Sequence, residues 1–564
     1  MTLDTGPLDS DPNDGAVWLS RRSDWARSGD VSTSGRAFEE GELLSGIALC
    51  ERFEGVSSLD SFADTLADLN GFFAVVIEHA DAVFLGVDHV RSIPLYYAPG
   101  PGRASDDPRW LGTRLGNPDN DPLAESELLA GGTVLDNRTL VPGLLTVRPG
   151  EAVQLLDSET RTRQYTDYRP TTEPMASDPG RERLEAAIDA AFDRFSTVVG
   201  DRQIALSLSG GHDSRLVATE LVRRDHDVLA FSFGRSGYED VTVAENVAAA
   251  LDVPWTFVEY STDSWREWYR SPERARYVEE TFGYDSIPNY GTVPALSRLR
   301  ETGSIESDAV CTSGQTVVGM SEDVPDELTV PAPTEESLLA AILRYWRRWE
   351  WDNPAFDDAV RERVTADLPD DVGSLPAAFA AFERWKWADR HVKYFVAEVR
   401  QYDFHDLDWW LPLWDREVVT AWTQVPFAGR RGKQVYRELV DRRFAEVAGI
   451  DLVEANGLTA EPRAPTTADQ LVDWAAERLV DSPIAPLLAP VYWSLQRRRS
   501  AYGDHSLGWY GIVPPDLFAT LYSGREDIHA LQTLDTVGRA SFLEGTVIDP
   551  PRDGVLSLPY PDGE

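Results

Sequence analysis

The feature that most constrains the fold is a regular alternation of predicted helices and strands in the middle of the chain. The apolar patterns predict helices over 181–195, 214–224 and 241–251, and buried strands over 204–208, 228–233 and 255–258. Short connections separate these segments, and strands that alternate with helices in this way build a parallel, doubly wound sheet. The sequence therefore predicts an α/β domain that further helices extend to about residue 480.

The chain has 564 residues, which is too long for one ordinary core, so two or more domains are expected. Before the alternating region, apolar runs at 72–77, 82–87 and 93–97 predict short strands of the kind found in antiparallel domains. A polar stretch at about 170–180 has the composition of a linker. These boundaries define three predicted parts, 1–170, 180–480 and 481–564. The last part has no assigned role.

The charge is strongly acidic, because 95 Asp and Glu residues against 53 Lys and Arg residues give a formal net charge of −42. Only Lys386, Lys393 and Lys433 are lysines. A diffuse acidic surface with arginine in place of lysine is typical of cytosolic proteins from extreme halophiles, which stay soluble in concentrated salt. An ordinary acidic protein is the alternative. Nucleic acids and anionic membranes need basic patches, so neither is expected as a partner.

The two cysteines, Cys50 and Cys311, are too few for a disulfide scaffold. No apolar run reaches about 18 residues, the length that a membrane-spanning helix needs. The first residues also lack a basic segment followed by an apolar one, which a signal peptide would show. We therefore expect a cytoplasmic protein.

The segment Ser-Gly-Gly-His-Asp-Ser at 209–214 lies directly between a predicted strand and a predicted helix. Glycines let backbone N–H groups approach phosphate oxygens, and the N-terminus of the following helix adds a partial positive charge at the same place. Ser209 and Ser214 can add hydroxyl donors. Asp213 would repel a phosphate unless a cation lay between them, which indicates a Mg²⁺ ligand. The alternative is a tight turn in which Asp213 or Ser214 only caps the helix.

A strand followed by S-G-G-x-D-S and a helix resembles the pyrophosphate loop of the N-type ATP pyrophosphatases, among which the asparagine synthetase family matches best. Segments at 231–234 (FSFG), 411–415 (LPLWD) and 432–438 (GKQVYRE) also resemble motifs of that family. The resemblance implies a doubly wound, adenine nucleotide α-hydrolase-like domain that binds ATP and Mg²⁺, with Asp213 as the metal ligand. It implies the following nucleotide contacts: Leu208, Ser209, Gly210, Gly211, Asp213, Ser214, Phe233, Ser313 and Gly314.

The resemblance also implies a reaction. A carboxylic acid, aspartate by resemblance, attacks ATP to give an acyl-adenylate (β-aspartyl-AMP) and pyrophosphate, and ammonia or another amine then forms the amide. Lys433 aligns with the family's lysine at the departing pyrophosphate, where an ammonium stabilises developing charge; a solvated helix face is the alternative. Asp408 has a shorter carboxylate at the glutamate of the family's E-x-R-x-P motif, and we expect it to orient or deprotonate the amine.

The N-terminal third resembles the class II glutamine amidotransferase domain of the same family, which implies an Ntn-hydrolase-like αββα fold. Active members begin with a cysteine nucleophile, whereas residue 2 here is Thr2. We therefore expect that glutaminase activity is lost and that Cys50 is a buried apolar residue. The segments that carry the resemblance are Leu69–Ala74 (LNGFFA), Asp88, Ile93–Tyr97 (IPLYY), Arg138–Leu140 (RTL), Gly143 and Pro149–Glu151 (PGE).

Two of the family's synthetase motifs are altered in this sequence. The loop S-G-x-G-x-D-E appears at 312–319 as TSGQTVVG, without the second metal-binding aspartate or the neighbouring glutamate, and the arginine of E-x-R-x-P has become Trp410. The acidic residues near enough in sequence to replace that aspartate are Glu306, Asp308, Glu322 and Asp323. A second hypothesis is therefore a degenerate nucleotide-binding relative that acts as a regulatory or partner protein. For the enzyme, the expected partners are a small carboxylic acid, ammonia or an amine, and a second copy in a homodimer.

Overall fold

The computed structural model describes residues 16–20, 23–116, 120–174, 178–347, 354–366, 368–369, 372–452 and 458. Thr2 and the predicted extension 481–564 lie outside the described residues. Within the described residues the strands form three sheets, two in the N-terminal part and one parallel sheet after residue 200. The α/β class and the parallel sheet predicted from the sequence are confirmed. No helix in these ranges is both long enough and apolar enough to cross a membrane.

The N-terminal part consists of short strands and short helices. Its strands are β1 (Val17–Trp18), β2 (Ala26–Ser28), β3 (Val31–Glu39), β4 (Glu42–Ser45), β5 (Asn70–Glu78), β6 (Val83–Val87), β7 (Tyr96–Ala98), β8 (Arg103–Ser105), β9 (Leu145–Thr146), β10 (Glu151–Leu155) and β11 (Thr160–Gln164). Its helices are α1 (Gly46–Glu51), α2 (Leu59–Asp68), α3 (Pro108–Arg114) and α4 (Pro122–Gly131).

Two sheets pack face to face in this part. The larger has the order β11–β10–β6–β5–β3–β2, with β4 paired to β3, and the smaller has the order β1–β8–β7–β9. Phe73 and Val75 of β5 pack with α1 and α2, whereas Ala74 and Val76 face the smaller sheet. Helix α3 covers the other side of that sheet through Leu111. The layers therefore run helix, sheet, sheet, helix, while the Ntn-hydrolase assignment itself stays a prediction.

The third predicted strand, 93–97, begins later than expected, since β7 covers only Tyr96–Ala98. Two local features explain the difference. Pro94 has no N–H to donate to a sheet. The preceding residues turn around Asp88, which accepts the N–H groups of Val90 at 2.8 Å and of Ser92 at 3.1 Å. The chain can join the sheet only after this turn is complete.

The second part alternates helices and strands, as the sequence predicts. Its strands are β12 (Ile204–Ser207), β13 (Val228–Gly234), β14 (Trp255–Glu259), β15 (Val310–Ser313) and β16 (Asp408–Trp409). Its α-helices are α5 (Asp178–Val199), α6 (His212–Arg223), α7 (Glu239–Ala250), α8 (Thr262–Tyr269), α9 (Pro272–Thr281), α10 (Val293–Glu301), α11 (Glu335–Trp346), α12 (Pro354–Thr365), α13 (Leu375–Lys386), α14 (Arg400–Phe404), α15 (Arg416–Gln424), α16 (Phe427–Arg430) and α17 (Gln434–Ala448). A π-helix covers Trp387–Phe395, and 3₁₀ turns cover Val317–Ser321, Asp326–Leu328, Val396–Val399, Pro412–Trp414 and Arg431–Lys433.

The parallel sheet has the order β14–β13–β12–β15–β16. Because its strands run in one direction, their carboxyl ends meet at one edge, where the loops after β12, β13 and β15 begin. The same apolar core cluster contains Ile204 and Leu206 of this sheet, Phe72 of β5 and Leu128 of α4. The N-terminal part therefore shares a core with the parallel-sheet part.

Candidate functional site

The loop between β12 and α6 is closed by its two serines. The Ser214 hydroxyl accepts the Ser209 backbone N–H at 3.1 Å and donates to the Ser209 carbonyl, also at 3.1 Å. The N-cap of α6 is Gly211, and no side chain caps the helix, so the capping alternative for Asp213 or Ser214 is wrong. Ser214 is buried and shapes the loop, whereas Ser209 and Gly211 are exposed and can meet a ligand.

The end of β15 lies directly against this loop. A β-carbon added at Gly314 would lie 2.4 Å from the Ser214 backbone nitrogen, which is closer than any real contact. Only glycine therefore fits at position 314 with the present packing. By contrast, a β-carbon at Gly211 would meet nothing nearer than the Ser209 hydroxyl, at 3.5 Å. The structure thus brings Gly314 and the neighbouring Ser313 to the predicted phosphate loop.

Lys433 reaches the same edge from the turn before α17. Gly432 and Lys433 both have a left-handed backbone, with φ of 64° and 57°. This conformation is uncommon for a residue with a side chain, and such strain is concentrated at functional sites. Lys433 is 6% exposed, and its Nζ lies 3.6 Å from Asp213 Oδ2 and 3.4 Å from Glu322 Oε1. The alternative of a solvated helix face for Lys433 is wrong.

Asp213 stands in the first turn of α6 with one carboxylate oxygen open. Its Oδ1 is buried and has no hydrogen-bond partner within the described part of the chain. Burial raises the pKa of Asp213, while the Lys433 ammonium and the Tyr436 hydroxyl act in the opposite direction. A carboxylate that keeps a free oxygen beside an ammonium has the chemistry of a cation ligand.

Glu322 is the carboxylate that the structure brings to Asp213. The turn Val317–Ser321 carries the chain from the end of β15 back toward Lys433, which Glu322 contacts. Glu306 and Asp308 precede β15 and therefore lie at the opposite edge of the sheet. No group of three or more His, Cys, Asp or Glu side chains is placed to hold a metal ion among the described residues. Asp213 and Glu322 could still hold Mg²⁺, which binds through one or two carboxylates when phosphates supply further oxygens.

The two residues expected at the adenine lie at the carboxyl ends of neighbouring strands, Leu208 directly after β12 and Phe233 as the next-to-last residue of β13. The Leu208 carbonyl accepts the Ser232 hydroxyl at 2.7 Å, and Ser232 accepts the Trp255 indole N–H at 2.9 Å. Leu208 is 2% exposed, whereas Phe233 is only partly buried and its ring centroid lies 5.6 Å from that of Tyr260. The structure thus brings Leu208 and Phe233 to the same edge as the loop, with Phe233 offering the open apolar surface.

Lys386 lies deeper behind the site. Its Nζ donates to the Met320 carbonyl at 3.0 Å and lies 4.4 Å from the ring centroid of Tyr345. Burial lowers the pKa of Lys386 to about 8, against the opposing effect of Glu383. Its charge is influenced by Glu322 and Lys433 as well, so the lysine belongs to the electrostatic surroundings of the site.

Asp408 lies at the other edge of the sheet, which corrects the expectation that it handles the amine. It pairs with Val310, the first residue of β15, whereas the phosphate loop follows the strand ends. Asp408 Oδ2 accepts Arg36 at 2.9 Å and Arg202 at 2.8 Å. Burial would raise the pKa of Asp408, but the two guanidinium groups lower it below its ordinary value. Asp408 therefore joins the two parts of the protein rather than acting at the loop.

Other residues of the resembling motifs also lie in the junction between the two parts. Asn70 donates to Asp415 at 3.0 Å, and Asp415 also accepts Arg194 at 2.8 Å. A ring nitrogen of His89 lies 2.7 Å from the Trp414 carbonyl oxygen. Cys50 is fully buried in α1, as predicted. The LNG and LPLWD segments therefore contact each other directly.

Sequence reasoning missed two polar residues beside the site, the half-buried Gln315 and the buried Glu398. Gln315 follows Gly314, and its amide donates to Glu398 at 2.6 Å. The only sequence signal for Gln315 was its place in the altered 312–319 loop. Nothing marked Glu398, which comes from the turn Val396–Val399 and reaches the loop only through tertiary packing.

Residues 183–300, which include the loop 209–214, match the model of the asparagine synthase family. A carboxyethyl-arginine beta-lactam-synthase from Streptomyces clavuligerus is 35% identical over 108 residues, which are 15% of this chain and 21% of that protein. The chain therefore spans only about a fifth of the length of this curated relative. The two matches support the asparagine synthetase family for this segment.

Solved structures match less closely. The NH3-dependent NAD synthetase from Campylobacter jejuni is 14% identical and covers 34% of this chain and 86% of that chain, with a TM-score of 0.19. A glutamine phosphoribosylpyrophosphate amidotransferase from B. subtilis is 11% identical and covers 52% of this chain and 64% of that chain, with a TM-score of 0.17. Scores this low do not support a shared fold.

Proposed function

We propose that the chain is an ATP-dependent, amide-forming synthetase of the asparagine synthetase type. The observation that carries the proposal is the buried, strained Lys433, whose ammonium faces Asp213 beside a glycine loop at the carboxyl edge of a parallel sheet. The asparagine synthase match over 183–300 supports it independently. An ammonium at this place can stabilise the negative charge of departing pyrophosphate.

The proposed reaction has two steps. A carboxylate oxygen attacks the α-phosphorus of ATP, the bond to the β-phosphate oxygen breaks, and pyrophosphate leaves with an acyl-adenylate remaining. An amine nitrogen then attacks the acyl carbon, the bond to AMP breaks, and the amine loses a proton to solvent. Aspartate and ammonia are the proposed substrates by resemblance, and a homodimer is the proposed assembly.

The residues at the carboxyl edge have distinct proposed roles. Asp213 and Glu322 would hold Mg²⁺, which supplies positive charge against the phosphates. The phosphates would lie on Ser209, Gly210, Gly211 and Ser214, with Lys433 at the pyrophosphate. Leu208 and Phe233 would contact the adenine, and Ser313 and Gly314 would complete the nucleotide site.

We also propose that the N-terminal part is a degenerate class II amidotransferase domain without glutaminase activity. The support is that Cys50 and Cys311, the two cysteines of the sequence, are both buried, together with the helix–sheet–sheet–helix layers. The junction contacts of Asn70 and His89 suit a domain that braces the synthetase part.

We also propose that the protein works in a cytoplasm with a high salt concentration, and its surface charge supports this. Lys386, Lys393 and Lys433 are 4%, 4% and 6% exposed, so the exposed side chains of this chain include no lysine. Arginine therefore supplies the exposed Lys/Arg charge on a chain whose formal net charge is −42. Assays should accordingly use molar KCl.

The second candidate is a nucleotide-binding protein without turnover. The observation that favours it is the position of Asp408, which leaves the family's carboxylate paired with two arginines away from the loop. Under this hypothesis Asp213→Ala would mainly weaken the affinity for Mg·ATP, whereas in an enzyme it abolishes turnover.

The deciding experiment measures pyrophosphate release in molar KCl with ATP, Mg²⁺ and aspartate, and either ammonium or glutamine as the nitrogen source. Release with ammonium alone supports the synthetase with an inactive glutaminase. Release with glutamine contradicts the interpretation of Thr2. ATP binding without release from a panel of carboxylic acids supports the second candidate.

A variant tests the role of Glu322. If Glu322 shares the metal with Asp213, Glu322→Gln raises the Mg²⁺ concentration needed for half-maximal rate by about tenfold, the effect of losing about 1.4 kcal/mol of binding. Asp323→Gln is the control, because no contact of Asp323 with Lys433 is seen. An unchanged Mg²⁺ requirement in Glu322→Gln contradicts the role.

A further inference from the structure

Glu398 is a buried carboxyl group that forms no ion pair with any cation in the described part of the chain. It is 7% exposed, and its described hydrogen bonds come from two amides, Gln315 at 2.6 Å and Gln401 at 2.9 Å. Three other buried glutamates form ion pairs with arginine: Glu127 with Arg363 at 2.6 Å, Glu220 with Arg443 at 2.7 Å and Glu383 with Arg430 at 3.1 Å. A buried carboxylate without a counter-ion is costly, so its retention needs a local reason.

The position of Gln315 supplies that reason. Gln315 directly follows Gly314, which packs against the backbone of Ser214 in the phosphate loop. Gln315 is itself only half-buried. The Gln315 side chain therefore lies between Glu398 and the carboxyl edge of the sheet. Its amide has an NH₂ group that donates hydrogen bonds and a carbonyl oxygen that accepts them.

Hydrogen-bond chemistry determines which end of the amide faces outward. Both oxygens of Glu398 accept amide N–H groups, one from Gln315 and one from Gln401, so the NH₂ end of Gln315 faces Glu398. The carbonyl oxygen of Gln315 is then directed away from Glu398, and no donor to it is seen among the described residues. An oriented, open acceptor at a substrate edge selects a ligand that donates hydrogen bonds.

We propose that Glu398 is a positioning residue that holds the Gln315 carbonyl oxygen toward the site, where it binds an amine group of the substrate. This inference rests on the proposed synthetase function. The amine belongs either to the nucleophile, ammonia or another amine, or to the α-ammonium of an amino-acid substrate. Both offer N–H donors to the same oxygen, and the experiment below separates them.

The ionisable groups nearest to Glu398 do not supply a charge that would pair with its carboxylate. Tyr277 and Tyr402 are its titratable neighbours, and burial raises the pKa of both phenols, so they stay neutral. Arg400, two residues away, donates to the Ser92 carbonyl instead. Burial raises the pKa of Glu398, against the effect of the two amides. On acidification, protonated Glu398 can donate to the Gln315 oxygen, and the fixed orientation is lost.

The test compares Gln315→Met, Glu398→Gln and the control Glu127→Gln, which alters a buried glutamate far from the loop. Aspartate is compared with succinate, which lacks the α-amine, and ammonium is varied separately. We expect Gln315→Met to raise the KM for the amine-bearing substrate about 10- to 100-fold, the loss of one hydrogen bond to a charged group, with the Kd for ATP unchanged. The wild-type KM should rise at acidic pH, and Glu398→Gln should remove that rise.

The outcomes separate the two sources of the amine. A higher KM for ammonium identifies the nucleophile, and a lost preference for aspartate over succinate identifies the α-ammonium. If the wild type is active, and Gln315→Met and Glu398→Gln show the same KM values, selectivity and pH profile as the wild type, this inference is overturned. The proposed function is then unaffected. Absence of turnover in the wild type on any acid overturns the proposed function, and the inference with it.

Discussion

The charged residues at the two edges of the parallel sheet differ in how closely they are paired. At the carboxyl edge, Lys433 lies 3.6 Å from Asp213 and 3.4 Å from Glu322. Asp213 Oδ1 has no hydrogen-bond partner among the residues that the structure describes. At the amino edge, Asp408 accepts two guanidinium groups, Arg36 at 2.9 Å and Arg202 at 2.8 Å. The same sheet therefore places loosely paired charges at one end of its strands and fully paired charges at the other.

The closeness of charge pairing distinguishes residues that can bind a ligand from residues that stabilise the fold. Close charge-assisted pairs satisfy their donors and acceptors within the chain and leave little for a substrate. A ligand site, by contrast, keeps long ion-pair contacts, a carboxylate oxygen free to bind a cation, and a lysine with a left-handed backbone. These groups can interact with the charges of a bound ligand. The position of a carboxylate along the strand direction is thus more informative than its match to a motif.

The largest expected effect is that of Lys433→Met. Turnover should fall about 100- to 1000-fold, the loss seen when one preorganised group that stabilises transition-state charge is removed. The free energy of unfolding should change by about 1 kcal/mol or less, because the contacts of Lys433 are long and Glu322 is half-exposed. Pyrophosphate release and guanidinium chloride unfolding in molar KCl measure the two quantities.

Lys393→Met is the matched control for this variant. Lys393 is equally buried, but its Nζ donates to the Val134 carbonyl at 2.7 Å and to Asp389 at 2.8 Å. Its removal leaves Asp389 without its cation and should lower the free energy of unfolding by about 3–5 kcal/mol. If Lys433→Met were the destabilised variant, or kept full turnover, Lys433 would be a structural residue like Lys393.

Gly314→Ala should disturb the phosphate loop. The new methyl group would lie 2.4 Å from the Ser214 nitrogen, so β15 and α6 must move apart. We expect the Kd for ATP to rise about tenfold or more, the effect of about 1–3 kcal/mol of overpacking. Gly211→Ala is the control for stability, because its β-carbon meets nothing closer than 3.5 Å. Wild-type ATP affinity in Gly314→Ala, measured by calorimetry, would show that the close approach is not needed.

The sequence predicted much of the second part because its signals are local. Apolar periodicity located the strands β12, β13 and β14, and the glycine-rich segment between strand and helix located the loop 209–214. Parallel strand direction then explains why Leu208 and Phe233 reach the same edge. These inferences needed no knowledge of long-range packing.

Residues whose position depends on register could not be predicted in the same way. Strand β16 pairs with the first two residues of β15, Val310 and Cys311. A shift of three residues, about 10 Å, would have brought Asp408 to the phosphate loop. Glu322 reaches the site only because the turn Val317–Ser321 reverses the chain. Neither strand register nor turn geometry is encoded in a local sequence motif.

A smaller effect tests the amino edge. Asp408→Asn should lower the free energy of unfolding by about 2 kcal/mol, because Arg36 and Arg202 lose their shared charged partner. Turnover of the folded variant should stay within about twofold of wild type, since Asp408 is far from the loop. A 100-fold loss of turnover at unchanged stability would mean that Asp408 does reach the reacting groups, and the comparison of the two edges would fail.

The smallest expected effect concerns the pH dependence of stability near the carboxyl edge. Lys386 has a pKa of about 8 in the folded protein against 10.5 in the unfolded chain. Between these values the unfolded state binds more protons, so stability rises with pH; below about 8 both states are protonated, and the cost of burying the charge is fully present. From pH 7 to 9 the gain should be about 1 kcal/mol. Lys386→Met should lack this rise in guanidinium chloride unfolding at each pH, and an identical rise in the variant would assign it to other groups.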